Sequence, residues 1–255
     1  MRRELPEPYV TARVGAARVY ALPRVAESAE EAIAAAGSLY DYARTHPDRQ
    51  TLPSGRGPIF RVPSAPGDWV VRHYRRGGWM RWLGDRYLRV GRPRPLAELE
   101  TSVHVRSRGV PTPEVLAAVV YPGGPFYRGD LVTAYIPESY DLATLLFGPS
   151  PLEGDERNVA WAEAGRLLRW LYSLGVIHRD LNLGNVLLER CIRPPRPYVL
   201  DLDRCTTVDH VGPDARRRML RRFRRSVDKV SERARRPVTR EEWHAFQAAY
   251  RTKRV

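Results

Sequence analysis

Three side chains stand at spacings that suit the handling of a phosphoryl group. Asp180 and Asn185 belong to the string His178-Arg-Asp-Leu-Asn-Leu-Gly-Asn185, and Asp201 to Leu200-Asp-Leu-Asp203. Phosphoryl transfer asks little covalent chemistry of a protein. The accepting hydroxyl must be aimed and relieved of its proton, and the phosphate charge must be neutralised by a divalent cation and by basic side chains. Asp180 suits the first task, as a carboxylate that accepts a hydroxyl's hydrogen bond and proton. Asn185 offers a neutral oxygen to Mg²⁺ and Asp201 a charged one. His178 is expected to order the loop and is given no catalytic task. Taken singly, such residues in loops more often satisfy backbone groups than perform chemistry. It is the spaced set that points to a site.

The first string fits the protein-kinase catalytic-loop pattern H-R-D-L-x-x-x-N at every fixed position, and chance would supply it in roughly one chain of this length in ten thousand. That rarity favours a kinase reading over coincidence. Asp201 falls where protein kinases carry D-F-G, with Asp203 in place of the glycine. Asp203 either joins the metal site or binds a neighbouring arginine such as Arg204. Protein kinases also hold the nucleotide phosphates with a strand lysine paired to a helix glutamate. Here Lys229 and Lys253 are the only lysines, so arginine must serve. Val70-Val-Arg72 occupies the place of V-A-I-K, ahead of a helix bearing Glu98, and arginine can make the same pair bidentately. The other reading of Arg72 is a solvent-facing residue on an alternating strand. Gly55-Arg-Gly57 is the candidate glycine loop over ATP, although two glycines fall short of G-x-G-x-x-G and also suit a plain turn.

The elements that must position these residues follow from periodicity. Residues 1–14 read as an irregular tail and Ser28–Tyr42 as a helix, with Ser28 and Glu31 at capping-box spacing. Short strands flank the Gly55–Gly57 turn, another runs over Asp68–Tyr74, and Leu96–Arg108 reads as a helix stopped by Gly109 and Pro111. Val115–Tyr121 and Leu131–Ile136 are predicted strands. After the Ser28–Tyr42 helix, the first part is thus a set of strands around one helix, Leu96–Arg108. From Asp155 to Leu174, Val159, Ala164, Leu167, Leu168, Leu171 and Leu174 mark a long amphipathic helix. Val186–Leu188 and Tyr198–Leu200 are short strands. Helices over Asp214 to about Arg236 and from Thr239 to Tyr250 close the chain, Thr239 and Glu242 forming a second capping box. The expected fold is α+β, kinase-like and two-lobed, a single kinase-like domain over 1–255. Its N-lobe covers about 1–136, its reduced C-lobe about 137–255, with a hinge near Ala134–Glu138 and ATP between the lobes.

At 255 residues the chain can bury a full core, and 43% hydrophobic content excludes a disordered class. No apolar run is long enough to span a bilayer and the start lacks an apolar leader, so the cytoplasm is the expected compartment. Cys191 and Cys205 make no framework or metal spacing. A net charge of +14 predicts attraction to something anionic: nucleic acid, nucleotide phosphates or a membrane surface. Ala215–Arg236 carries eleven basic residues against Asp228 and Glu232, with Met219, Leu220, Phe223 and Val227 as an apolar stripe. Such a helix either lies on anionic lipid or packs its stripe inward. No aromatic-basic RNA signature is evident, so nucleic acid is not an expected partner.

Arg72-His-Tyr-Arg-Arg-Gly-Gly78, Leu83-Gly-Asp-Arg-Tyr87, Glu98, Arg108-Gly-Val-Pro-Thr-Pro113 and the catalytic loop together resemble the lipopolysaccharide kinase family, and within it the Kdo kinases, from about Gly55 to Tyr250. The resemblance extends to the arginine in place of lysine, the variant after the metal aspartate and a basic tail ending in a Trp-containing helix. It implies ATP- and Mg²⁺-dependent phosphorylation of a hydroxyl of the sugar acid Kdo in Kdo-lipid A, at the cytoplasmic face of the inner membrane. Only about 50 residues follow Asp203 and no A-P-E segment appears, so peptide-docking parts are missing and a small or lipid-linked acceptor is favoured. Arg75, Arg76, Asp85 and Arg86, with Trp79 and Trp82, either meet an anionic sugar or bilayer or play a structural part. The alternatives are a kinase for another core sugar such as heptose, one for a small molecule as in aminoglycoside phosphotransferases, or a basic membrane- or RNA-binding pseudokinase. Intact Asp180, Asn185 and Asp201 argue against the last.

Overall fold

Apolar and polar residues alternate over Val10-Thr-Ala-Arg-Val14 and Ala17-Arg-Val-Tyr-Ala21, and in the computed structural model, which describes residues 5–52, 57–75 and 84–252, these become an antiparallel hairpin, β1 (Val10–Val14) and β2 (Ala17–Ala21). The expectation of an irregular tail over 1–14 is thereby corrected over Val10–Val14. β1 is an edge strand with exposed side chains, so no apolar run announces it. Helix α1 (Pro23–Ala36) begins at a proline, whose fixed φ suits the first helical position. It buries Val25, Ala29, Ala32 and Ile33, one face of the 3.6-residue period. Gly37, at φ 79, ends it. Ser28 therefore lies inside α1 rather than capping it, and the single helix expected over Ser28–Tyr42 is two. Ser38 caps α2 (Leu39–Thr45), its Oγ accepting the Asp41 N–H at 2.9 Å.

The sheet continues through β3 (Gln50–Leu52), β4 (Ile59–Val62), β5 (Trp69–His73) and the short β6 (Tyr87–Leu88). After α3 (Arg94–Ser107) come the paired strands β7 (Val115–Gly123) and β8 (Phe126–Ala134). Their order is β1-β2-β7-β8-β5-β4-β3, with β6 beside β8. Alternate β7 residues serve opposite faces. Ala117 and Val119 join Val25, Ile33, Leu39 and Val71 in one apolar cluster, and Ala118 and Val120 join Leu99 of α3 in another. A strand covered on both faces must read as a continuous apolar run, as Val115-Leu-Ala-Ala-Val-Val120 does. Among the described residues three helices thus serve this sheet: α3 near the predicted Leu96–Arg108, and α1 and α2 where the sequence pattern predicts one helix over Ser28–Tyr42. By contact, Met1–Val103 with Glu114–Tyr135 form one compact unit, and His104–Pro113 with Ile136–Val255 a second.

The second unit opens with β9 (Ser139–Asp141) and α4 (Leu142–Phe147), whose N-cap Asp141 accepts the Thr144 N–H at 2.9 Å. Then come α5 (Gly154–Ser173), β10 (Val176–His178), β11 (Val186–Glu189), β12 (Arg196–Val199) and β13 (Cys205–Thr207). α6 (Pro213–Ala234) and α7 (Arg240–Arg251) complete it. β12, β11 and β9 form one small sheet, β10 and β13 another. α5 buries Ala160, Trp161, Ala164, Leu167, Leu168 and Leu171; Val159, part of the expected stripe, is exposed because the buried face is centred one position later. Gly165 lets α7 press against α5, since a Cβ there would sit 2.3 Å from the Phe246 carbonyl oxygen. The Thr239–Glu242 capping box forms, and the other oxygen of Glu242 pairs with the buried Arg157. On α6, Met219, Phe223 and Val227 are buried in the core with Leu220 packed against it. No helix among the described residues is long and apolar enough to cross a membrane.

Candidate active site

In the second unit, β10 delivers His178 to the start of a tight loop and β11 resumes directly after Asn185, through a 3-10 turn over Leu183–Asn185. His178 is buried, and burial pushes its imidazole below the ordinary histidine pKa, keeping it neutral. Its two nitrogens have distinct tasks. Nδ1 accepts the Asp180 N–H at 3.2 Å, which leaves Nε2 as the protonated nitrogen, donating to the Leu200 carbonyl at 2.9 Å. Leu200 N–H donates to the Asn185 carbonyl at 2.9 Å, and Asn185 Nδ2 donates to the Asp180 carbonyl at 2.9 Å. These four bonds close a ring through Asp180, His178, Leu200 and Asn185. It joins the loop to the end of β12, where Asp201 follows.

Asp201 adopts φ 57, ψ 64, the left-handed region that a side chain enters at a cost. Asn185, with its carboxamide nitrogen committed to Asp180, keeps an oxygen to offer, and Asp201 supplies a carboxylate. Both are hard oxygen donors of the kind Mg²⁺ takes. Among the described residues no cluster of three or more His, Cys, Asp or Glu gathers. Mg²⁺ does not require one, because it binds through one or two protein oxygens with water and phosphate completing the shell.

Three residues that hold the loop escaped the sequence reading. Asn182 Nδ2 also donates to the Asp180 carbonyl at 2.8 Å while its oxygen accepts the Gly184 N–H at 2.9 Å, an Asx-type lock on the turn. Arg222, on α6, forms an ion pair with Asp180 Oδ1. One helical turn later, Ser226 Oγ accepts the Leu183 N–H at 3.2 Å. The signal for Arg222 lay in the apolar stripe: once Met219, Phe223 and Val227 face inward, 222 and 226 share one side of the helix. Nothing in the sequence said that this side meets the loop.

In the first unit, Arg72 and Glu98 form an ion pair at 2.5 Å. Tyr74 OH donates to the same Glu98 oxygen, and Arg72 also reaches Tyr74 OH at 3.4 Å. Glu98 is buried while Arg72 stays partly open. Gly57, at φ 130, has Arg75 against it: a Cβ there would lie 3.1 Å from the Arg75 Cδ. Arg75 sits 5.8 Å from the Tyr40 ring centroid. Gly55, Arg76, Trp79 and Trp82 lie outside the described residues.

A further polar network sits beside Arg72. The fully buried Asp130 accepts from Tyr121 OH at 2.8 Å and the Tyr40 N–H at 3.0 Å, and meets His73 Nδ1 at 2.5 Å. His73 Nε2 lies 3.0 Å from Asp85. Burial works against charge on His73, but the hydrogen bonds and charges of Asp130 and Asp85 outweigh it and raise the pKa.

A family model described as the lipopolysaccharide kinase (Kdo/WaaP) family matches residues 50–250, from the first residue of β3 onward. A Haemophilus influenzae (strain PittEE) protein, 3-deoxy-D-manno-octulosonic acid kinase, is 31% identical over 207 residues, covering 77% of this chain and 82% of its own. A Vibrio cholerae serotype O1 protein of the same name is 30% identical over 179 residues, covering 69% and 72%. Among solved structures, one described as WaaP in complex with acyl carrier protein superposes with a TM-score of 0.52 over 79% of this chain and 77% of that one. At 19% identity that likeness establishes a shared, kinase-like fold alone.

Proposed function

The chain belongs to the lipopolysaccharide kinase (Kdo/WaaP) family, and on that premise we propose that it transfers the γ-phosphoryl group of ATP to a hydroxyl of 3-deoxy-D-manno-octulosonic acid in Kdo-lipid A. The observation that carries the reading is the hydrogen-bonded ring that ties the backbone of Asp180, the carboxamide of Asn185 and Leu200, the residue before Asp201, to one another. Asp180 accepts the proton of the acceptor hydroxyl as that oxygen bonds to the γ-phosphorus and the bond from phosphorus to the ADP oxygen breaks. Asn185 and Asp201 are the residues that would hold Mg²⁺, which when bound neutralises phosphate charge. Arg72, oriented by Glu98 and Tyr74, is the cation for the α- and β-phosphates, in the lysine's place. Gly55 and Gly57 would cover the phosphates. The division into an N-lobe of about 1–136 and a C-lobe of about 137–255 within one kinase domain belongs to the same reading.

The reading also assigns a place of work, the cytoplasmic face of the inner membrane, supported by the exposed arginines of α6. Burial of Met219, Phe223 and Val227 leaves no inserting apolar face on that helix, so docking would be electrostatic and salt-sensitive. Asp180→Ala is expected to lower the rate of radiolabel transfer from ATP to Kdo-lipid A by about a thousandfold while the melting temperature stays put, in the range of a positioned base. Assays with heptosylated core and with a peptide run alongside. Wild-type rates in Asp180→Ala, or faster transfer to heptosylated core, would refute the assignment.

A further inference from the structure

We infer that Arg222 recognises the carboxylate of the acceptor sugar acid and that acceptor binding transfers this arginine from Asp180 to the substrate. The inference rests on the reading of Asp180 as base and of a sugar acid as acceptor. Its starting observation is that Arg222 Nη2 occupies Asp180 Oδ1, one of two oxygens that could receive the hydroxyl's proton. A carboxylate so engaged must be released, or share its partner, before that oxygen can take a proton. The acid function of the acceptor is an equivalent partner for a guanidinium fork.

Geometry supports the exchange. Met219, Phe223 and Val227 lock the rotation of α6 into the core, and the Ser226–Leu183 bond ties the next turn to the loop, so the helix backbone holds Arg222 at this place. The guanidinium itself remains mobile enough to change partner, because its side chain is 47% exposed while that of Asp180 is 15% exposed. Arg218, Arg222, Arg225 and Lys229 recur at spacings of four, three and four and are all exposed, a cationic stripe along one face leading to Asp180. Neighbouring arginines are engaged elsewhere: Arg216 lies over Tyr172, Arg217 pairs with Asp214 and Arg224 lies over Trp243. Arg222 is thus an α6 residue that the structure brings to the reactive carboxylate.

The test compares Kdo-lipid A with the same acceptor carrying a primary amide in place of the sugar carboxylate, using wild type, Arg222→Ala, Arg222→Lys and Asp180→Ala. Wild type is expected to lose about 10- to 100-fold in kcat/KM on the amide, the range of a charge-assisted hydrogen bond. Arg222→Ala should treat both acceptors alike, with KM for ATP and the melting temperature unchanged, and Arg222→Lys should recover part of the discrimination. If Arg222→Ala still separates the two acceptors by the wild-type factor, or wild type does not separate them, the inference falls while the role of Asp180 stands. A fully active Asp180→Ala would instead remove the underlying assignment, and this inference with it.

Discussion

The two units hold their candidate groups by different means. In the first, Arg72 and Glu98 come from a strand and a helix 26 residues apart and meet through long side chains, with the Tyr74 hydroxyl as third member. In the second, main chain and side chain interlock around Asp180: Leu200 N–H meets the Asn185 carbonyl, while the other three bonds join main-chain groups of Asp180 and Leu200 to the His178 imidazole or the Asn185 carboxamide. A side-chain pair can be re-aimed by a rotamer change. A closed ring, in which main-chain groups interlock with the His178 imidazole and the Asn185 carboxamide, cannot be re-aimed at one member without breaking bonds at the others. On the proposed function, the interlocked arrangement would serve the placing of a proton and a metal, and the adaptable one the supply of a cation to a diffuse phosphate charge.

This contrast can be broken by mutation. Asp201→Ala should cost the most, roughly a thousandfold in kcat, the equivalent of about 4 kcal/mol. Titration of Mg²⁺ against rate is the measurement, and an unchanged Mg²⁺ dependence would remove Asp201 from the proposed metal site. Arg72→Ala is expected to raise KM for ATP by about 10- to 100-fold with a smaller change in kcat, and Glu98→Ala to follow it because the arginine loses its orienting partner. A loss confined to kcat would erase the distinction between the units.

The smallest effect is in stability against pH, where a histidine in each unit gives the opposite sign. His178 has its pKa lowered by burial, so the folded chain binds protons less readily than the unfolded one; its contribution is whole above about pH 6.5 and is lost as pH falls below that. For His73, burial is outweighed by Asp130 and Asp85 and the pKa is raised; its contribution is whole below about pH 6.5 and is lost as pH rises through the folded value. Each slope is at most about 1.4 kcal/mol per pH unit. In thermal melts from about pH 5 to 9, His178→Gln should flatten the acid limb and His73→Gln the alkaline limb. Identical curves for the two variants would show that neither histidine carries the linkage.

The same contrast decides what the sequence made legible. The catalytic loop is local, so its spacing alone located Asp180 and Asn185 and the turn that carries them. The long apolar period of α5 and the Thr239–Glu242 box were equally plain. The Arg72–Glu98 contact, although nonlocal, was reached by analogy with a strand-lysine and helix-glutamate pattern. What stayed hidden was anything without a repeating local signal. β1 alternates over only five, mostly exposed residues, too short a signal to stand out. α1 begins at Pro23 among alanines that suit any helix register, which drew the boundary to Ser28. Arg222 is one basic residue among eleven in its segment, and only the three-dimensional packing of α6 singles it out.

The ring through Asp180, His178, Leu200 and Asn185 has a further consequence, for timing. A closed circuit of hydrogen bonds opens as a whole, because each bond holds the geometry of the next. The amides of Asp180 and Leu200, twenty positions apart, therefore form one breathing unit and should trade hydrogen with solvent at a common rate. Asp180 and the approach to Asp201 are then in register together or out of register together, and the loop spends no time half assembled.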